Sequence, residues 1–241
     1  MTERTVVNLW CGPRTGSTAL MYSFRQRADT AVFDEPFYGR YLRHTDPGHP
    51  GRDVVIAATP ADYEACLDPV LAAGGPPVRF IKNIAHHLDA LPPSILDRFA
   101  NGLLVRDPER VVASLGVVLD GSVALDITGF AHLERILDHE LAAGRRPVVI
   151  ESGRLLAEPE RALTRLCESF GLPFDPAMLT WPAGPKPEDG PWAQHWYGAV
   201  HRSTGFAPPP TEPVHLDAAQ QALADRCRPI YERLLDHHLE M

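Results

Sequence analysis

The chain has 241 residues, 44% of them hydrophobic, and a formal net charge of −8. This length and apolar content suit one α/β domain with a sizeable core. The acidic balance argues against nucleic acid or an anionic membrane surface as partner. No apolar run reaches the length of a bilayer span, and the N-terminus lacks the layout of a cleavable leader, so a cytoplasmic location is expected.

An apolar run over Val6–Trp10 predicts a first strand. It ends in a tight polar loop, Cys11–Thr18, and Ala19, Leu20, Tyr22 and Phe24 then follow at helical spacing. Strand, glycine-bearing loop and helix together make an anion site. Backbone N–H groups of the loop and of the first helical turn converge on one point, and the helix dipole favours negative charge there. Gly12 and Gly16 permit the bent backbone, Ser17 and Thr18 add hydroxyls, and Arg14 offers a planar fork for phosphate or sulfate oxygens. The nucleotide-triphosphatase loop needs a lysine before its Ser/Thr, and none stands there. The plainer alternative is a turn that only caps a helix.

Thr30–Phe33 reads as a second strand, stopped by Asp34-Glu35-Pro36. Carboxylates at that strand end lie where open α/β sheets bind ligands; otherwise they form an exposed acidic turn. Residues 43–53, rich in Pro, Gly and charge, read as a surface loop or flap. Pro60–Ala73 has helical spacing and Gly74–Pro77 breaks it. Val78–Asn83 is a third strand carrying Lys82, one of only two lysines, near its carboxyl end.

Pro92–Ala100 reads as a short helix and Gly102–Val105 as a buried strand ending at Arg106. Asp107–Leu119 is a helix with Asp107 as cap and Pro108 first. Asp126–Ala143 is another helix, stopped by Gly144, and Pro147–Ile150 is a fifth strand. Glu158–Phe170 is helical. Residues 181–213 are rich in Pro and Gly yet hold Trp181, Trp192 and Trp196, which favours an ordered covering loop. Asp217–Leu239 closes the chain as a long helix. Cys11, Cys66, Cys167 and Cys227 are scattered, as in a reducing compartment, and form neither a disulfide frame nor a zinc pattern; no metal is expected.

Alternating strands and helices predict a mostly parallel sheet covered on both faces. The strand ends at Cys11, Phe33, Lys82, Arg106 and Ile150 then share one rim, the expected active site.

The loop Pro13-Arg14-Thr15-Gly16-Ser17-Thr18 resembles the 5′-phosphosulfate loop of sulfotransferases that use 3′-phosphoadenosine-5′-phosphosulfate (PAPS). Arg106 leaving a strand, with Ser114 about two helical turns on, resembles the pair with which that family holds the 3′-phosphate. The alternatives are a surface charge and a tolerated helix serine. Val78–Pro92 is similar to the family's lysine segment, and Lys82 falls on its catalytic lysine. Its histidine position is Ile84 here, with His86 and His87 close but offset. Val148–Pro159 is similar to a further family segment whose adenine-contacting tyrosine is replaced by Ile150. His201-Arg202-Ser203-Thr204-Gly205 stands in for the C-terminal 3′-phosphate motif, with Lys186 a weaker substitute.

The resemblance implies a P-loop-type α/β fold over 1–241 and a small-molecule sulfotransferase of bacterial type. It would move a sulfuryl group from PAPS to a hydroxyl, or less readily an amine, and release 3′-phosphoadenosine-5′-phosphate (PAP). The implied cofactor set is Arg14, Thr15, Gly16, Ser17, Thr18, Arg106, Ser114 and Arg202. Lys82 and Arg14 would stabilise the departing charge. The base candidates are Glu35, which leads, His87, His86 and Asp34. A small-molecule kinase of P-loop fold and a nucleotide-binding module without catalysis are the rival readings.

Overall fold

The computed structural model describes residues 4–45, 49–119 and 124–240. Its centre is β1 (Thr5–Cys11), buried on both faces from Val7 onward, as a mostly apolar run suits an inner parallel strand, with Asn8 accepting a hydrogen bond from Asn83 of the neighbouring strand. With β2 (Thr30–Asp34), β3 (Val78–Ile84), β4 (Ala100–Val105) and β5 (Val148–Glu151) it forms one parallel sheet in the order β2-β3-β1-β4-β5. From β1 the chain passes to the edge strand β2, returns to β3 between β2 and β1, and then crosses β1 to β4 and β5 on the other side. That reversal beside β1 is where open sheets leave a crevice at the strands' carboxyl ends.

Side chains alternate between the faces. Val7, Leu9 and Cys11 enter one apolar core, while Trp10 enters the other. The helices are α1 (Ser17–Arg25), α2 (Tyr38–Thr45), α3 (Arg52–Ala58), α4 (Tyr63–Leu71), α5 (Pro108–Val118), α6 (Leu125–Thr128), α7 (Phe130–Ala142), α8 (Ser152–Ala157), α9 (Pro159–Ser169), α10 (Ala193–Trp196) and α11 (Ala218–Leu235). Residues of α1 and α9 fill the first core, and those of α5, α7 and α11 fill the second. The expected single α/β domain with helices on both faces is therefore present.

Several boundaries differ from expectation. Residues 43–53 are not one loop, because α2 continues through Thr45 and α3 begins at Arg52; 46–48 lie outside the described residues. Tyr41 and Leu42 bury the inner face of α2, and the Arg43 guanidinium satisfies carbonyls at the end of α3, donating to Thr59 O at 2.8 Å and to Ile56 O. The helix expected over 60–73 starts at Tyr63, because Asp62 rather than Pro60 caps it. The segment expected as a helix over 92–100 is a 3₁₀ turn at Pro93–Asp97, and Ala100 already belongs to β4. The helix expected over 126–143 breaks at Gly129, whose φ of +81° ends α6 and opens α7. The C-terminal helix stops at Leu235. Beyond it, the Leu239 N–H donates to Val149 O at 2.8 Å, laying the tail along β5.

Candidate active site

The loop after β1 is held from behind. The Thr15 hydroxyl donates to Gly12 O at 2.9 Å, and the Ser152 hydroxyl donates to Thr15 O at 2.8 Å. Gly16 turns the chain into α1 with φ +85°, and no side chain caps that helix. The first-turn N–H groups thus keep an open face for an anion. Gly12 lies against the α6–α7 break: a Cβ there would meet Thr128 O at 2.7 Å, and one on Gly129 would lie 3.1 Å from Gly12 Cα.

Two guanidiniums flank this loop. Arg14, in the left-handed region at φ +64°, donates from Nε to Ser114 Oγ at 2.9 Å and from Nη1 to Trp196 O at 3.4 Å. Arg106 donates to Arg14 O at 2.6 Å. Among the described residues neither guanidinium hydrogen-bonds a carboxylate, although burial lowers the pKa of both. Partly buried cations bonded only to neutral oxygens are suited to an incoming anion.

The ends of β2 and β3 carry the second half of the site. Register places Asp34 beside Lys82. Lys82 is 1% exposed, and its Nζ donates to Asp34 Oδ1 at 3.1 Å, to Glu35 Oε1 and to the Tyr197 hydroxyl at 2.7 Å. The Tyr197 hydroxyl also accepts from Trp192 Nε1 at 3.0 Å and donates to Asp34 Oδ2 at 2.8 Å. Burial alone would lower the Lys82 pKa, but the carboxylates of Asp34 and Glu35 outweigh it and hold the ammonium well above the usual lysine range. Glu35 has the left-handed φ of +43°. Burial pushes its carboxyl up to about 7, against the pull of Lys82 and with a further push from Asp34. A non-glycine residue held in that backbone region marks a position where the fold spends stability on aim.

His87 and His86 follow β3 in a 3₁₀ turn, Ala85–Ala90. His87 is fully buried, stacked on Tyr38 with ring centroids 5.0 Å apart, and its Nε2 lies 3.8 Å from Glu35 Oε2. Burial, reinforced by the neighbouring His86 and His49 rings and the Lys82 ammonium, pushes the His87 pKa well below the usual range, and burial likewise pushes His86 down to about 3. Neither ring nitrogen of His87, nor Nδ1 of His86, has a hydrogen-bond partner.

A cavity of about 260 Å³ joins the two halves. Arg14, Gly16, Ser17, Thr18, Arg106, Glu35, Lys82, His86 and His87 all line it. Thr15 is buried behind the loop, and Ser114 meets the site through Arg14. Asp34 sits beneath Lys82. Arg202 is exposed on the turn Val200–Arg202 and does not line the cavity, although Val200 does. Lys186 donates to Pro182 O at 2.8 Å, within its own loop. Of the stretch 181–213, Trp192, Trp196 and Tyr197 line the cavity, and Asp189 accepts from the Tyr22 hydroxyl of α1 and pairs with His201 of the same stretch. The bonding of the Tyr197 hydroxyl to Lys82 and Asp34 had no signal in the sequence, where the residue reads as packing surface.

The model of the sulfotransferase domain matches residues 5–236. An Arabidopsis thaliana protein named branched-chain-amino-acid aminotransferase-like protein 1 is 37% identical over 239 residues, covering 98% of this chain and 43% of that protein. The chain spans less than half the length of the curated relatives it matches. Two solved structures share the fold. The sulfotransferase domain from the curacin biosynthetic pathway matches with a TM-score of 0.51 and 17% identity over 100% of both chains. The sulfotransferase domain of the Synechococcus PCC 7002 olefin synthase matches with 0.50 and 19%, covering 94% of this chain and 95% of that one.

Proposed function

Because the chain belongs to the sulfotransferase domain family, we propose that it transfers a sulfuryl group from PAPS to a hydroxyl of a small organic acceptor. One observation carries the reading: a buried Lys82–Glu35 contact lines the same cavity as the uncapped start of α1 and the two guanidiniums. The residues fit an anionic nucleotide, since the Gly16 turn leaves N–H groups open and Arg14 and Arg106 have only neutral partners.

PAPS supplies the activated sulfuryl group. The chain's own residues do the rest. The N–H groups of Thr15–Thr18 and the Arg14 fork hold the 5′-phosphate, and Arg106 with Ser114 holds the 3′-phosphate. Ser114 already receives a hydrogen bond from Arg14, so one hydroxyl links the two anion sites. The Lys82 ammonium offsets charge on the departing oxygen. Glu35 accepts the acceptor's proton, and Asp34 and Tyr197 keep Lys82 placed beside it. Displacement of this kind depends on alignment and charge, and both halves of the site sit on strand ends that fix their aim.

Thermal shift with PAP, ADP and AMP tests the reading, since a ligand of the folded state raises the melting temperature. PAP should stabilise the chain most. A larger shift with ADP, or ATP- and magnesium-dependent turnover, would overturn it in favour of a kinase.

A further inference from the structure

His86 and His87 are 4% and 0% exposed, yet three of their four ring nitrogens lack a hydrogen-bond partner and both rings line the cavity. Buried polar atoms without partners are rare, and such atoms facing a cavity mark where a ligand atom completes the bonding. These histidines are not a metal centre: among the described residues no group of three His, Cys, Asp or Glu side chains is disposed to hold a metal ion. Their environment keeps both rings neutral at physiological pH. The charged side chains lining the cavity are Arg14, Glu35, Lys82 and Arg106. The rings packed on the histidines are Tyr38, Tyr41, His49 and His132, Glu35 is the carboxylate beside His87, and Leu119, Ile127, Trp192 and Trp196 line the same cavity. Neutral imidazoles in an apolar aromatic wall hydrogen-bond a neutral group well and compensate a formal charge badly.

Resting on the sulfotransferase reading above, we propose that this part of the cavity takes a neutral, largely apolar alcohol. Its reacting hydroxyl lies between Glu35 and His87, and a second hydrogen-bonding group on the same molecule meets His86. The 3.8 Å between Glu35 Oε2 and His87 Nε2 is too long for a direct hydrogen bond, and a hydroxyl beside the pair can donate to one and accept from the other. His86, with its ring centroid 5.1 Å from that of His87, marks the place of the second group.

The test uses four phenols of one ring size on the PAP complex, read by calorimetry. They are 4-hydroxybenzyl alcohol, 4-methylphenol, 4-hydroxybenzoate and tyramine. The neutral diol should bind about tenfold more tightly than the other three, one hydrogen bond's worth over 4-methylphenol. His86→Phe, which keeps a ring in place, should abolish the advantage over 4-methylphenol and leave PAP affinity unchanged. If 4-hydroxybenzoate or tyramine binds most tightly, if all four bind alike, or if none binds while PAP does, the inference is wrong and the PAPS reading stands. The parent chain's ranking of the four decides the matter even where His86→Phe does not fold. Failure of PAP itself to bind overturns the PAPS reading instead.

Discussion

Glu35→Gln keeps the shape of the side chain and removes its ionisation. Burial lifts this carboxyl from its ordinary 4.5 to about 7. Between those values the folded chain keeps a proton that the unfolded chain has released, so stability falls as pH rises through the window and is level above it. At ~1.4 kcal/mol per pH unit, the buried charge costs the fold roughly 3 kcal/mol above pH 7. The variant escapes that cost. Its melting temperature should equal the parent's near pH 4.5 and exceed it by about 6–12 °C at pH 8, given ~2–4 °C per kcal/mol for a chain of this size. Its kcat should fall about a hundredfold or more, with PAP affinity kept. The parent's kcat should drop along an acid limb centred near pH 7, where Glu35 takes up its proton, and the variant should lose that limb. The assays are a melting series from pH 4.5 to 8.5 and PAP release over pH 5.5 to 9. A fully active variant, or a stability gap that does not widen with pH, refutes the reasoning. If Glu35→Gln stays active while His87→Ala is dead with PAP still bound, the base is His87 despite its depressed pKa.

Arg106→Ala should weaken PAP binding about ten- to hundredfold, the loss of a charge-assisted contact of roughly 1.5–3 kcal/mol; unchanged affinity in a titration would remove it from the 3′-phosphate site. Lys82→Ala should lower kcat far more than it weakens PAPS binding, and Lys82→Arg should rescue little, because a guanidinium does not fit where the ammonium sits. A higher KM with unchanged kcat would make Lys82 a ground-state contact only. Tyr197→Phe removes the hydroxyl that joins Lys82, Asp34 and Trp192, and should cut kcat about tenfold or more and shift the acid limb; an unmoved pH profile would leave Tyr197 with packing alone. Hydrogen exchange in 184–206 should slow when PAP binds, and unchanged protection would make that stretch a static cover.

The parts legible in the sequence were those that local physics fixes. Val6–Trp10 has the mostly apolar run of an inner strand, and Val78–Asn83 carries enough β-formers between its polar residues to read as one. Asp107-Pro108 announces a helix start by its capping chemistry alone, and the Asp107 side chain accepts from the Glu109 and Arg110 N–H groups. Arg14, Glu35, Lys82 and Arg106 stand out in the sequence because each lies at a strand end or in the loop beside one, and Arg14, Lys82 and Arg106 also fall on the family motifs. The misreadings came where distant residues decide the outcome. Residues 43–45 look like loop until Tyr41 and Leu42 have a core to enter. Gly129 breaks a helix that its neighbours would continue, because Gly12 needs the room. Tyr197 carries no local sign of its role, since its partners Lys82 and Asp34 lie far back along the chain on other elements.

The contact between Gly12 and the Thr128–Gly129 step sets a limit for anyone reshaping this cavity. Ile127 lines the cavity, while Leu125, two residues before it on α6, packs against the apolar core, so Ile127 invites substitution to change what the pocket accepts. The step that follows it does not. With only 2.7 Å between a would-be Cβ on Gly12 and the Thr128 carbonyl, a methyl group at Gly12 meets backbone rather than a side chain that can swing aside. Gly129 is bound by its φ of +81° as well. A library that varies the pocket wall should hold these two glycines fixed as a pair, because an exchange at either one is felt first in the anion loop and only afterwards in the pocket it was meant to alter.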